Sequence, residues 1–138
     1  MKKIKLKTAG IAICAVYLIA IIVHILTIFD VIPFEWLNGG RINSQEVARV
    51  ISIAGIIFLS ISIFINLAAA KMIPVKFSTP LVVMLKIYLW FQTAFMGLSI
   101  PAQLMGTPFE KVCMTILVLV GFLSSLRLVL EKRGNYLS

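Results

Sequence analysis

Four mostly apolar runs dominate this chain, at residues 9–29, 50–70, 81–100 and 112–130. Each is 19 to 21 residues long. A helix rising about 1.5 Å per residue needs roughly 20 residues to cross a hydrocarbon layer about 30 Å thick. Strands are a poor alternative, because lone strands leave backbone groups unpaired in lipid and barrel strands are half as long. Charged residues make up only 13% of the 138, against roughly 25% in an average soluble domain. A core of this size could not hide so much apolar surface from water. The pattern predicts a single all-α domain, a membrane-embedded antiparallel four-helix bundle with helices at about 8–29, 45–70, 80–103 and 109–131.

The start, MKKIKLK before the first run, has the charge of a signal peptide. The run that follows is longer than the roughly 7–15 residues of a signal core, no small-x-small site follows it, and Ile13 spoils a lipobox at Cys14. It therefore reads as an uncleaved first helix. The later helices have marked starts. Thr107-Pro108-Phe109-Glu110 is a capping box with proline at the first helical position. Asn43 with Glu46 suggests a weaker box for the second helix, and Thr79-Pro80 opens the third.

With the N-terminus in the cytoplasm, ten of the 13 basic residues fall on the inner side, and only Arg41, Arg49 and Lys111 lie outside. The positive-inside rule then places both termini in the cytoplasm. The net charge of +8 becomes topological and lipid-facing, which removes the case for nucleic acid. Cys14 and Cys113 fall at opposite ends of the spans, beyond disulfide reach. With one histidine in the chain, the residues suggest no zinc site and no cofactor.

Small and polar residues mark the faces on which membrane helices approach closely. The second helix carries Ala48, Ser52, Gly55, Leu59, Ser62, Asn66 and Ala69 at steps of four and three. The third offers Tyr88, Gln92, Phe95, Ser99 and Ala102, and the first Gly10, Cys14, Tyr17, Ile21 and His24. Gly121 and Ser125 pair on the fourth. A second face leaves room for a homodimer. Asn66 and Gln92 read as interhelical glue against a role in a transport path, and Lys86 and Arg127 as snorkelling cations.

The least apolar stretch, residues 30–49, joins the first two helices outside the membrane. It carries Asp30, Glu35, Trp36, Arg41, Glu46 and Arg49, and Glu110 opens the last helix at the same surface. Phe34 and Trp36 suit the headgroup region, and Asn38-Gly39-Gly40 tolerates the positive φ of a turn. Two readings compete. In one, these charges form a salt-bridge network that pins the loop, with Glu46 and Glu110 as capping carboxylates. In the other they line a polar pocket roofed by Trp36 and floored by His24, with Gln103 nearby. His24 is then either a ligand-contacting imidazole or a residue hydrogen-bonded to Gln103 or Glu110 of a neighbouring helix.

The WLNGGRINSQE segment, with Glu110 and Arg127 in their helical settings, resembles a group of small four-span bacterial membrane proteins. These carry an outer-loop aromatic-x-Gly-Gly-Arg segment and an acidic residue opening the last helix. The resemblance implies a bacterial cytoplasmic-membrane protein and carries over no catalytic residue. Three function classes stay open. Binding of a membrane lipid, an apolar small molecule or a partner membrane protein at the outer face suits Arg41, Arg49 and Trp36. Export resembles small multidrug transporters in size, but those hold a glutamate deep in the first helix where this chain has only His24. Catalysis would need the outer carboxylates and His24 as acids and bases, and nothing fixes their geometry.

Overall fold

The four apolar runs form four helices, and the computed structural model describes residues 4–137. These are α1 (Leu6–Ile28), α2 (Gln45–Ala69), α3 (Thr79–Leu104) and α4 (Glu110–Val129), each long and apolar enough to span a membrane. Among the described residues all other regular structure is short helical turns. The chain is thus a multi-pass, all-helical membrane protein. The α1–α2 and α3–α4 connections lie at one end of the bundle, here the loop end, and the first and last described segments lie at the other.

Packing is uneven around the bundle. Helix α1 packs against α2 and α4, and α3 packs against α4, whereas α2 and α3 scarcely touch. Close approach on the α1–α2 seam requires glycine: a Cβ on Gly10 would sit 2.2 Å from the Cβ of Ala70. On the α3–α4 side, a Cβ on Gly121 would meet the Met96 sulfur at 2.6 Å. Seating Met96 there turns the contact face of α3 to Val82, Leu85, Leu89, Thr93 and Met96, all buried. The stripe expected from sequence is therefore only half correct. Gln92 is buried, but Phe95 and Ala102 are exposed and Ser99 only partly covered, with Phe95 and Ser99 turned toward the open side between α2 and α3. The α2 stripe does pack, with Ala48, Ser52, Ser62, Asn66 and Ala69 buried.

One polar bridge crosses the gap. Asn66 Nδ2 donates to Gln92 Oε1 at 2.8 Å and Gln92 Nε2 returns a bond to Asn66 Oδ1 at 3.1 Å. The same Gln92 nitrogen donates to Ser125 Oγ at 2.9 Å, and Ser125 meets Thr93 Oγ1 at 2.7 Å. Reciprocal amides satisfy each other where neither water nor lipid can, so α2, α3 and α4 are tied at one level.

The terminal end is closed by the chain itself. Lys86, expected to snorkel, is instead buried, and its Nζ donates to the carbonyls of Val129 at 2.7 Å and of Glu131. A cation there meets the unsatisfied carbonyls and negative dipole end of α4. Tyr136 folds beneath the bundle and donates to Leu128 O at 3.2 Å. Arg127 pairs with Glu131 at 2.8 Å and also donates to Ile4 O at 2.7 Å, tying the two terminal segments together. Arg127, and after it Asn135, hold the Glu131 carboxyl below its usual pKa, against a smaller opposing effect of burial. A carboxyl whose pKa is lower folded than unfolded stabilises the fold above the ordinary carboxylate range and loses that contribution as pH falls through it. Between about pH 7 and pH 4, thermal unfolding of the wild type should lose more stability than that of Glu131→Gln. Parallel pH profiles would show that the pair contributes nothing.

Candidate functional site

The gap between α2 and α3 opens, at the loop end, into a cleft of about 280 Å³. Its walls are mostly apolar: Phe58 and Leu59 from α2, Phe95 and Met96 from α3, Leu117 and Val118 from α4. A few polar groups from α1, α3 and α4 converge on it, namely Tyr17, His24, Gln92, Ser99, Gln103 and Glu110. The Asn66–Gln92 bridge closes it below. Above, Leu37 is buried and lies with Asn38 over the opening. Phe58 and Phe95 on the two facing helices are both exposed, so the cleft is open sideways, toward lipid.

The roof is held by Glu110. Its carboxylate accepts the Gly39 N–H at 3.0 Å on both oxygens and the Thr107 N–H at 2.9 Å on Oε2. Glu110 N in turn donates to Thr107 Oγ1 at 3.3 Å, which completes the reciprocal capping box. The loop can present Gly39 because Asn38, Gly39 and Gly40 have φ of 55°, 68° and 68°, a left-handed run open to Asn and Gly. Thr107 Oγ1 also donates to Trp36 O at 2.6 Å. Room for the carboxylate comes from Gly106, where a Cβ would lie 2.2 Å from Glu110 Oε2. Just beyond, residues Glu110–Met114 wind as a π-helix, with Thr115 N and Oγ1 both directed to Glu110 O. Such wide turns recur at functional sites.

His24 lies one layer deeper. Its Nδ1 is 3.2 Å from Ser52 Oγ, so its partner is on α2, where Gln103 or Glu110 was anticipated. The ring can approach because residue 55 is glycine, whose Cβ would stand 2.9 Å from His24 Nε2. Gln103 Oε1 is buried and has no hydrogen-bond partner.

Three of the nine residues singled out from sequence, His24, Gln103 and Glu110, thus meet in the cleft. The other six lie outside it. Asp30 pairs with Arg49 at 2.8 Å and also accepts from Gln45, whose Nε2 reaches Thr27 O at 3.0 Å as well. That cluster fastens the end of α1 to the start of α2. Glu35, Arg41 and Glu46 are exposed and form no ion pair among the described residues. Trp36 is on the outer side of the roof, half exposed, with its ring 5.7 Å from Phe109. The start of α2 also differs from expectation: Ser44, not Asn43, is the cap, accepting from Val47 N at 3.3 Å. The cleft residues that sequence reading missed, Phe58, Met96 and Met114 among them, carry no signal that separates them from other apolar helix positions.

No protein-family model, no curated protein and no solved structure matches the chain.

Proposed function

We propose that this protein binds a small amphiphile, a lipid or an apolar molecule with one polar end, in the cleft between α2 and α3. The observation that carries this is the cleft's construction: a largely apolar cavity open sideways to lipid, with the unpaired Gln103 oxygen and the Glu110 carboxylate near its loop end and a self-satisfied amide bridge as its floor. Ligand sites are typically built this way, largely apolar with a few placed polar groups. Its volume, about 280 Å³, suits a compact body rather than a two-chain lipid taken whole. The charge asymmetry and the resemblance given above support a bacterial cytoplasmic membrane with both termini inside, so the polar end of the ligand would point outward.

The test is native mass spectrometry of gently purified protein. Wild type should retain an amphiphile, and Ser99→Trp, which fills the cleft from α3, should lose it while its helix content is unchanged. Arg41→Ala should retain it, because Arg41 is exposed and outside the cleft. Retention by Ser99→Trp equal to wild type would refute the cleft as the site.

A further inference from the structure

The polar lining of the cleft is unbalanced. Glu110 is 5% exposed, and among the described residues no lysine, arginine or histidine nitrogen lies within 4.0 Å of its carboxylate. Its hydrogen bonds come from neutral groups, the amides of Gly39 and Thr107, since the Thr107 hydroxyl proton goes to Trp36 O at 2.6 Å. A carboxylate offers about four acceptor positions, and Oε1 receives only a share of the single Gly39 N–H. The buried Gln103 Oε1, on the same cleft, receives no hydrogen bond. Ser99 spends its proton on Phe95 O at 2.8 Å, which leaves its oxygen as a further acceptor. Around Glu110 Oε1 and Gln103 Oε1 the cleft therefore presents unfilled acceptors and one negative charge, with no described cation within 4.0 Å of the carboxylate.

We infer that the ligand is a cationic amphiphile, an amine on a compact apolar body, whose ammonium donates to Glu110 Oε1 and Gln103 Oε1. This rests on the cleft being the ligand site and adds the chemistry of the head. An ammonium supplies several donors and the missing charge, whereas a carboxylate or phosphate head would meet like charge and face acceptors with acceptors. A neutral hydroxyl supplies one donor and no charge. The apolar walls take the body, and the aromatic ring of Phe95 at the cleft mouth is compatible with a cation on its way in.

The experiment titrates three probes of equal body and different head, phenylbutylamine, phenylbutanol and phenylbutyrate, into the full chain in phosphatidylcholine nanodiscs. Heats from empty nanodiscs are subtracted. Wild type should bind the amine about tenfold or more tighter than the alcohol, the strength of one charge-assisted hydrogen bond, and the acid most weakly. Glu110→Gln keeps an oxygen for the Gly39 and Thr107 amides and should bring the amine down to the alcohol. Gln103→Leu leaves the Glu110 latch whole and should weaken the amine if Glu110→Gln proves unstable. Equal binding of amine and alcohol in wild type, with both lost in Ser99→Trp, would overturn the cationic head and leave the cleft standing. No binding of any probe, or binding that Ser99→Trp does not change, would overturn the cleft and the inference together.

Discussion

Gly106→Ala should unfasten the loop end almost as fully as Glu110→Ala, though it removes no hydrogen-bonding group. Gly106 is not among the residues with positive φ, so the backbone itself accepts alanine. What it lacks is space, because the new methyl would stand 2.2 Å from Glu110 Oε2 and 3.0 Å from its carboxyl carbon. The carboxylate must move, and its bonds to Gly39 and Thr107 go with it. Losing charge-assisted bonds to a buried carboxylate is worth about 2 kcal/mol locally even after some rearrangement. That corresponds to roughly thirtyfold faster hydrogen exchange at the Gly39 and Thr107 amides. Because both substitutions break the same contact, the double variant should exchange no faster than either single one. Wild-type protection of the loop in Gly106→Ala, or additive effects in the double variant, would contradict the latch.

Hydrophobic run length carried most of the fold into the sequence. Lipid leaves a helix as the only economical spanning element, so four runs of the right length become four helices whatever their details. The packing stripe of α2 was equally readable, since small residues at steps of four and three have one obvious use in a membrane. The stripe of α3 was not. Periodicity gave its axis but not its rotation, which is set by Met96 seating on Gly121, a contact between residues on different helices.

Less of the cleft was legible, for a related reason. The Thr107–Glu110 capping box is local and could be read directly, and so could the turn at Asn38–Gly40. That Gly39 and Glu110 meet, 71 residues apart in the chain, depends on how the bundle closes. The surface charges misled in the same way. Asp30, Glu35, Arg41, Glu46 and Arg49 share one end of the bundle, yet only Asp30 and Arg49 pair. Water competes for exposed charges at that surface, so proximity in topology does not create a network.

Gln92→Leu should cost about 2 kcal/mol of stability in reversible detergent unfolding, above the usual ~0.6 kcal/mol of a membrane polar contact. The usual value is small because a polar group released from its partner generally finds another. Asn66 is sealed from water: it is 0% exposed, and its Oδ1 receives only the Gln92 donor. Ser125 is less affected, since Thr93 still meets it at 2.7 Å. Replacing Asn66 as well removes the stranded acceptor, so Asn66→Leu/Gln92→Leu should cost less than the sum of the single variants. The consequence for the cleft follows from position. The bridge is its floor, and on the far side the α2–α3 seam continues as a largely apolar groove past Phe64 and Leu81, with the buried Tyr88 hydroxyl on its lining. Without the bridge the two become one longer slot, in which Glu110 and Gln103 still take a polar head but no floor limits the length of the apolar body. Gln92→Leu should therefore accept longer apolar chains than wild type. A single variant as stable as wild type, with unchanged chain-length preference, would mean that helix packing alone closes the floor.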